Sequence, residues 1–273
     1  DSLAGRVVGT RVFGFSQGER AGRRDDFVRA VLRGALEAQY RSGMGRADYV
    51  DLLTAGSMPE ACRLPQRYRA DWLESYVSRL LGRDLREFSR LSDPRRLRSL
   101  LAGLAAAQGS ETVVARLGGA VNLSASTTTS YMELLRALHL VERLPPWTPN
   151  LLKREVGRSK YLLTDSALAM RLTRTSPDTL KDLVRGGALG GLLEAFVAAE
   201  LMRQSTWCEE RFTISHYRSP DGREIDLILE LDDGRVIAVE VKAASSASAA
   251  DARHLRWLEE RIGDRLVAGV VLT

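Results

Sequence analysis

Cysteine is nearly absent. Cys62 and Cys208 are the only two in 273 residues. Their separation fits neither a metal-ligand motif nor a disulfide framework, and the sparse usage suits a reducing cytoplasm. No apolar run approaches the roughly 20 residues of a membrane-spanning helix. No secretory signal pattern is visible either. The expectation is therefore a cytoplasmic chain with no membrane partner. Lysine is scarce as well: of 40 basic residues only Lys153, Lys160, Lys181 and Lys242 are lysine. Charge as such is plentiful, at 27% of residues with a net balance of +5. That mild excess permits nucleic acid as a partner without requiring it. Apolar residues reach 44%, enough for sizeable cores, and the length suits two or three small domains. The first residue is Asp1 rather than Met, and the strand pattern at 266–272 ends without a tail. A fragment of a longer protein is the expectation.

The most informative stretch is REIDLILELDDGRVIAVEVKAAS, Arg223 to Ser245. Alternating apolar residues from Ile225 to Leu231 and from Val236 to Ala243 predict two strands. Asp232-Asp233-Gly234 fits a three-residue hairpin loop with glycine at the left-handed position. Such a loop pairs Leu231 with Arg235. Counting back along the ladder sets Asp226 opposite Glu240 and Glu224 opposite Lys242. Asp226, Glu240 and Lys242 then share a face, because residues two apart on a strand point the same way. Opposed carboxylates either share a proton or hold a cation, and magnesium takes oxygen ligands of this kind. The alternative is a solvated face with Lys242 paired to Glu224. Against it, Val239 and Val241 flank Glu240 as in a central strand, and lysine appears where the composition nearly always supplies arginine. A compact ammonium holds a water or a phosphate oxygen where a planar guanidinium would not fit.

Elsewhere the pattern divides into four stretches. Residues 1–22 read as a short strand-like run, Val7 to Phe15, with linker. Residues 23–90 have helical spacing over 25–40 and 70–81, with a turn at Ala55-Gly-Ser-Met-Pro-Glu60. Residues 91–173 read as a winged helix. Asp93-Pro94 opens a helix to Ala107, and a second helix from Glu111 ends at Gly118-Gly119. A third starts at Ser124 or Ser126, and 141–144 pairs with 159–163 as the wing, with Pro145-Pro146-Trp147 turning between. In that fold the third helix enters the major groove, so Ser126, Thr127, Thr128, Thr129, Ser130 and Arg136 are expected to meet DNA. Lys153, Arg154, Arg158 and Lys160 at the wing tip would touch phosphates. A spacer role between proteins, with no DNA bound, is the equal alternative. Residues 174–273 read as one α/β unit: helix 189–204, strand 212–217, the hairpin, helix 249–262 and strand 266–272. On the first helix Glu194 lies on the small, apolar side, within reach of the Asp226–Glu240 face, with Glu200 a competing candidate.

Glu194 on a helix, Asp226 on a hairpin strand and Glu240-Val-Lys242 on the next strand resemble the signature of PD-(D/E)XK, or restriction-endonuclease-like, nucleases. The resemblance implies that Asp226, Glu240 and the carbonyl of Val241 ligate magnesium, that Glu194 binds directly or through water, and that Lys242 positions the attacking hydroxide. Over the whole chain, Ser2-Leu-Ala-Gly-Arg6, Gly56-Ser-Met-Pro-Glu60, Leu80-Leu-Gly-Arg-Asp84, Thr128-Thr-Ser-Tyr131, Lys160-Tyr-Leu-Leu-Thr-Asp165, Glu224-Ile-Asp226 and Val239-Glu-Val-Lys242 occur in order. Together they are similar to the part that follows the ATPase core in predicted prokaryotic AAA-type ATPases with a C-terminal domain of unknown function. Residues 1–22 would then be a remnant of that core and 23–90 its helical lid. No P-loop motif occurs, so ATP is expected only in a protein that includes the core. Ser57-Met58 departs from the glycine and aromatic residue common in that family. The resemblance implies a multidomain α-helical and α/β fold: a lid-like region, a winged helix and a nuclease-like domain. Nucleic acid is the expected partner, DNA more than RNA, alongside a protein partner or self-association. A non-catalytic binding module, or a toxin or defence component controlled by a partner, is the alternative role.

Overall fold

The computed structural model describes residues 6, 9–36, 42–84, 93–148, 157–184 and 187–273. The fold is mixed α/β, with helices first, then a two-stranded sheet, then a four-stranded mixed sheet.

The first described segment, 9–15, forms no strand, contrary to the expectation from its apolar run. Its backbone is instead tied to a neighbouring loop, with Phe15 N donating to Ser57 O at 2.7 Å. Helix α1 (Gln17–Arg20) follows behind a Ser16 cap. Helix α2 (Phe27–Leu32) is shorter than the 25–40 pattern predicts, because Gly34 turns the chain at φ +63°; residues 37–41 lie outside the described residues. Val28 and Val31 of α2 pack with Leu229, Ile237 and Val239 of the large sheet.

Helices α3 (Arg46–Ala55), α4 (Pro59–Arg63) and α5 (Gln66–Arg79) come next, and a π-helical turn, Leu80–Asp84, extends α5. Their apolar side chains Leu53, Leu73, Val77 and Leu81 join Leu97, Leu100, Leu101 and Leu104 of α6 (Pro94–Ala106) in one core. Asp93 caps α6 by accepting from Arg95 N at 2.9 Å, with Pro94 in the first helical position.

Helix α7 (Val114–Ala120) runs straight through Gly118-Gly119, where the sequence pattern predicts a break. The reason is packing. A Cβ on Gly118 would collide with Thr128 Oγ1 of α8 (Ala125–Ala137), so glycine here lets two helices approach closely. The strands β1 (Val141–Leu144) and β2 (Lys160–Leu163) pair antiparallel, Val141 with Leu163 and Leu144 with Lys160. Pro145-Pro146-Trp147 does more than turn. His216 N donates to Pro145 O at 3.0 Å and Trp147 N to His216 O at 2.5 Å, which fastens this segment to the edge of the large sheet.

Asp165 caps α9 (Ser166–Thr173) through Leu168 N at 2.8 Å on Oδ1. Its Oδ2 collects three more donors: Ser57 N at 2.6 Å, Ser57 Oγ at 2.9 Å and Met58 N at 3.2 Å. Gly56 sits against this carboxylate at φ +67°, where a Cβ would fall 2.8 Å from both carboxylate oxygens. The Gly56-Ser57-Met58 loop is therefore a clamp on a buried carboxylate. Asp165→Asn sets a donor amide against those three donors. Its expected cost is about 2 kcal/mol, read as a lower urea midpoint with an unchanged denaturant slope.

After α10 (Pro177–Lys181), α11 spans Leu189–Gln204 as its pattern predicts. The large sheet holds β3 (Phe212–Arg218), β4 (Glu224–Leu231), β5 (Val236–Val241) and β6 (Leu266–Leu272) in that order. The β3–β4 and β4–β5 pairs are antiparallel and β5–β6 is parallel. Helix α12 (Arg253–Ile262) starts four residues later than the apolar spacing from 249 predicts. Ala195, Ala198 and Leu201 of α11 cover the face carrying Leu227, Leu229, Ile237 and Val239. Leu255 and Leu258 of α12 cover the face carrying Ile228, Val236 and Ala238.

Candidate active site

The hairpin turns as its sequence requires. Leu231 N donates to Arg235 O at 2.8 Å, and Gly234 takes φ +84°. The ladder pairs Glu230 with Val236 through to Leu227 with Val239 and ends there, one step short of Asp226 and Glu240. Beyond that step the Asp226 side chain takes over from the ladder, Oδ2 accepting from Val241 N at 2.8 Å. Asp226 is 8% exposed and Glu240 6%. Glu240 lies on a central strand, paired on its other side with Val271. By strand alternation both carboxylates share the side of Ile228 and Ala238, which is the α12 face.

Lys242 Nζ donates to Glu240 Oε1 at 2.5 Å, while Glu240 Oε2 is buried with no hydrogen-bond partner. The ion pair of Lys242 with Glu224, which the alternative solvated-face reading required, does not form. Glu224 is taken by a different lysine: Lys160 Nζ lies 2.9 Å from Glu224 Oε1 and 2.8 Å from Glu194 Oε1. Arg218 also approaches Glu224, at 3.5 Å. Lys160 is 2% exposed, so its assignment as a wing-tip phosphate contact is corrected: the residue opens β2 with its side chain directed inward between two carboxylates.

Burial raises the Asp226 carboxyl above its ordinary value against the pull of Val241 N–H. Burial, then the neighbouring Asp226 charge, raises Glu240. Burial pushes Glu194 up to about 7, with Lys160 opposing and Asp226 adding to the rise. Burial also works against the Lys160 ammonium, but Glu194 and Glu224 outweigh it and hold the group above its ordinary value. Glu224 moves the other way, since Lys160 and Arg218 overcome its partial burial and lower it. His216, with no exposed surface, stands beside this cluster. Burial and then Lys160 depress its ring to about 4.

Glu194 therefore meets Lys160 rather than joining Asp226 and Glu240 as a third free carboxylate. Among the described residues no three His, Cys, Asp or Glu side chains are arranged to hold a metal ion. The pair Asp226–Glu240 still fits magnesium, which is commonly bound by one or two carboxylates plus substrate phosphate. The unpartnered Glu240 Oε2 is the observation in its favour. Glu200 is engaged elsewhere, accepting from Gln17 N at 2.8 Å and from Arg203 at 2.9 Å.

The predicted nucleic-acid contacts separate. Ser126, Thr129 and Ser130 on α8 and Arg158 before β2 are exposed. Thr128 is fully buried under Gly118, which corrects its assignment as an exposed contact. Thr127 is half-buried and hydrogen-bonds the Ser124 cap. Arg136 is half-buried and pairs with Glu133 at 2.8 Å. Lys153 and Arg154 lie outside the described residues. His216 is the site residue that sequence reasoning missed, and Lys160 is one to which it gave a different role. The scarcity of lysine that drew attention to Lys242 applied equally to Lys160; nothing in the sequence marked His216.

Residues 46–179 match a family model described as a domain of unknown function, DUF8612, and residues 189–273 match another, DUF4143. The second match begins at the first residue of α11. The chain is similar to the uncharacterized protein Rv2008c of Mycobacterium tuberculosis (strain ATCC 25618 / H37Rv). It is equally similar to the uncharacterized protein Mb2031c of Mycobacterium bovis (strain ATCC BAA-935 / AF2122/97). Each is 26% identical over 196 residues, covering 72% of this chain and 43% of the relative. The chain thus spans less than half the length of these relatives. No solved structure matches it. No helix among the described residues is long and apolar enough to cross a membrane.

Proposed function

We propose that the α/β unit of residues 174–273 is a PD-(D/E)XK-type, magnesium-dependent phosphodiesterase. The observation that carries this reading is the buried Asp226–Glu240 pair, with a free Glu240 oxygen and Lys242 immediately after the strand that carries Glu240. Asp226, Glu240 and the Val241 carbonyl would hold the ion, which when bound lowers the pKa of water and neutralises charge on the phosphate. Asp226 is already oriented by Val241 N–H. Lys242, one-third exposed, anchors Glu240 and has its remaining N–H donors available to a water or a phosphate oxygen. Residues 91–173 are read as a winged helix, with the exposed Ser126, Thr129, Ser130 and Arg158 facing DNA. The whole is read as the part of an AAA-type ATPase that follows its ATPase core, so that ATP would belong to the longer protein.

The test is manganese or magnesium calorimetry together with cleavage assays on single- and double-stranded DNA and RNA. Asp226→Ala is expected to lose at least about tenfold in metal affinity, the range seen when a supporting metal-site group is removed, and to lose cleavage. Folded wild-type protein that binds neither ion and cleaves none of these substrates would overturn the reading. A second reading, a non-catalytic binding module, draws on the Lys160 ammonium, which already neutralises Glu194. It predicts nucleic-acid binding that Asp226→Ala leaves unchanged.

A further inference from the structure

Lys160 belongs to the segment that matches DUF8612, whereas Glu194, Glu224, Asp226 and Glu240 all belong to the segment that matches DUF4143. A strand of the first unit thus sends a buried cation into the carboxylate cluster of the second. Three elements meet there: β2 supplies the ammonium, α11 supplies Glu194 and β4 supplies Glu224. Burying an ammonium is costly unless the geometry is good and the remaining N–H groups find acceptors. Two carboxylates at 2.8 and 2.9 Å meet that need. A compact, tetrahedral ammonium suits two acceptors from different directions, as a planar guanidinium would not.

We propose that Lys160 is a tethered counter-cation, supplied by the neighbouring unit, that occupies the acidic cluster and weakens the affinity of Asp226–Glu240 for a divalent ion. The inference rests on the active-site reading above. Two observations carry it. The lysine removes Glu194 from the set of free oxygen donors. Glu240 Oε2, which Lys160 does not reach, has no hydrogen-bond partner, so the pair keeps capacity for a cation that the third carboxylate does not share. Lys160, held on Glu194 and Glu224, also acts on the Asp226 charge, and a fixed positive charge there repels a dication. Removing that charge both ends the repulsion and frees Glu194. The site is therefore sensitive to how the two units pack, since β2 is anchored to the first and the carboxylates to the second.

The test uses the full chain and manganese chloride alone, followed by calorimetry, with thermal unfolding to confirm folding. Three variants are compared with wild type: Glu224→Gln, the double variant Lys160→Met/Glu224→Gln, and that double variant with Asp226→Ala added. The double variant removes one positive and one negative charge together, which limits the damage of leaving an unpaired buried group. Its expected affinity is about tenfold or more above that of Glu224→Gln, from the loss of one nearby positive charge, and adding Asp226→Ala abolishes the gain. Glu224→Gln alone, at a part-exposed position, is expected to bind several-fold more weakly than wild type, because the ammonium is then less neutralised. If the double variant fails to fold, an unchanged affinity in Glu224→Gln overturns the proposal. Equal affinities in Glu224→Gln and the folded double variant, with binding lost in the variant carrying Asp226→Ala, overturn the proposal and leave the active-site reading standing. Absence of manganese binding from every folded variant overturns both.

Discussion

Lys242→Ala is expected to lower magnesium-dependent phosphodiester cleavage about 10²–10⁴-fold, the usual contribution of a positioned proton-transfer group. Metal binding should survive. The argument is positional. Lys242 Nζ holds Glu240 Oε1 at 2.5 Å, and the side chain is 34% exposed, so it bridges the buried carboxylate and the solvent from which substrate arrives. Truncation removes that bridge and leaves Glu240 more exposed to the Asp226 charge, which already raises it after burial. The stability cost is expected to be about 1–2 kcal/mol, because solvent screens a part-exposed pair while a hydrogen bond to a charged group is worth more than a neutral one. A purely structural lysine gives the stability loss without the rate loss. Single-turnover cleavage at saturating magnesium, with urea unfolding alongside, separates the two. Cleavage within about threefold of wild type would contradict the assignment, since a positioned group contributes far more.

The hairpin was legible because everything that shapes it is local. Gly234, the alternation of Ile225 to Leu231 and the length of the loop fix the register without help from distant residues, and the ladder pairs as that counting requires. Helix α11 and strand β6 were legible for the same reason, and so was the cap at Asp93; the start of α8 was narrowed only to Ser124 or Ser126, and Ser124 is the cap. What escaped was settled by contacts far apart in sequence. Lys160 lies 34 residues from Glu194 in sequence, and its strand pattern is indistinguishable from that of a wing facing solvent. Gly118-Gly119 reads locally as a helix break, yet α8 packs against it and the helix persists. The Asp165 clamp joins residues 108 positions apart. In each case local propensity was overridden by a tertiary partner that a single sequence does not reveal.

His216→Gln and Glu194→Gln are expected to tilt the stability of the protein with pH in opposite directions, exposing two opposed titrations. His216 has no exposed surface, its Nε2 lies 3.2 Å from Arg158 O, and its buried Nδ1 has no hydrogen-bond partner. Protonation would therefore place a second cation near Lys160 with nothing to accept the new N–H. Burial and Lys160 accordingly bring the ring from 6.5 down to about 4, with Glu224 acting in the opposite sense. A depressed folded value means stability that is complete above about pH 6.5 and lost as pH falls through about 4, in total about 3 kcal/mol. Glu194 runs the other way. Its folded value lies above the ordinary 4.5, at about 7, so its contribution is complete below about 4.5 and lost as pH rises through about 7, again about 3 kcal/mol in total. Between about pH 4.5 and 6.5 these two slopes oppose each other, so in the wild type each group masks the other. His216→Gln, which keeps a donor for the Arg158 carbonyl, unmasks the glutamate: its stability should rise as pH is lowered from about 7 to 4.5. Glu194→Gln unmasks the histidine: its stability should fall over about pH 6.5 to 4. Urea midpoints across that range provide the measurement. Parallel profiles for the two variants would show that neither buried group titrates as its surroundings require.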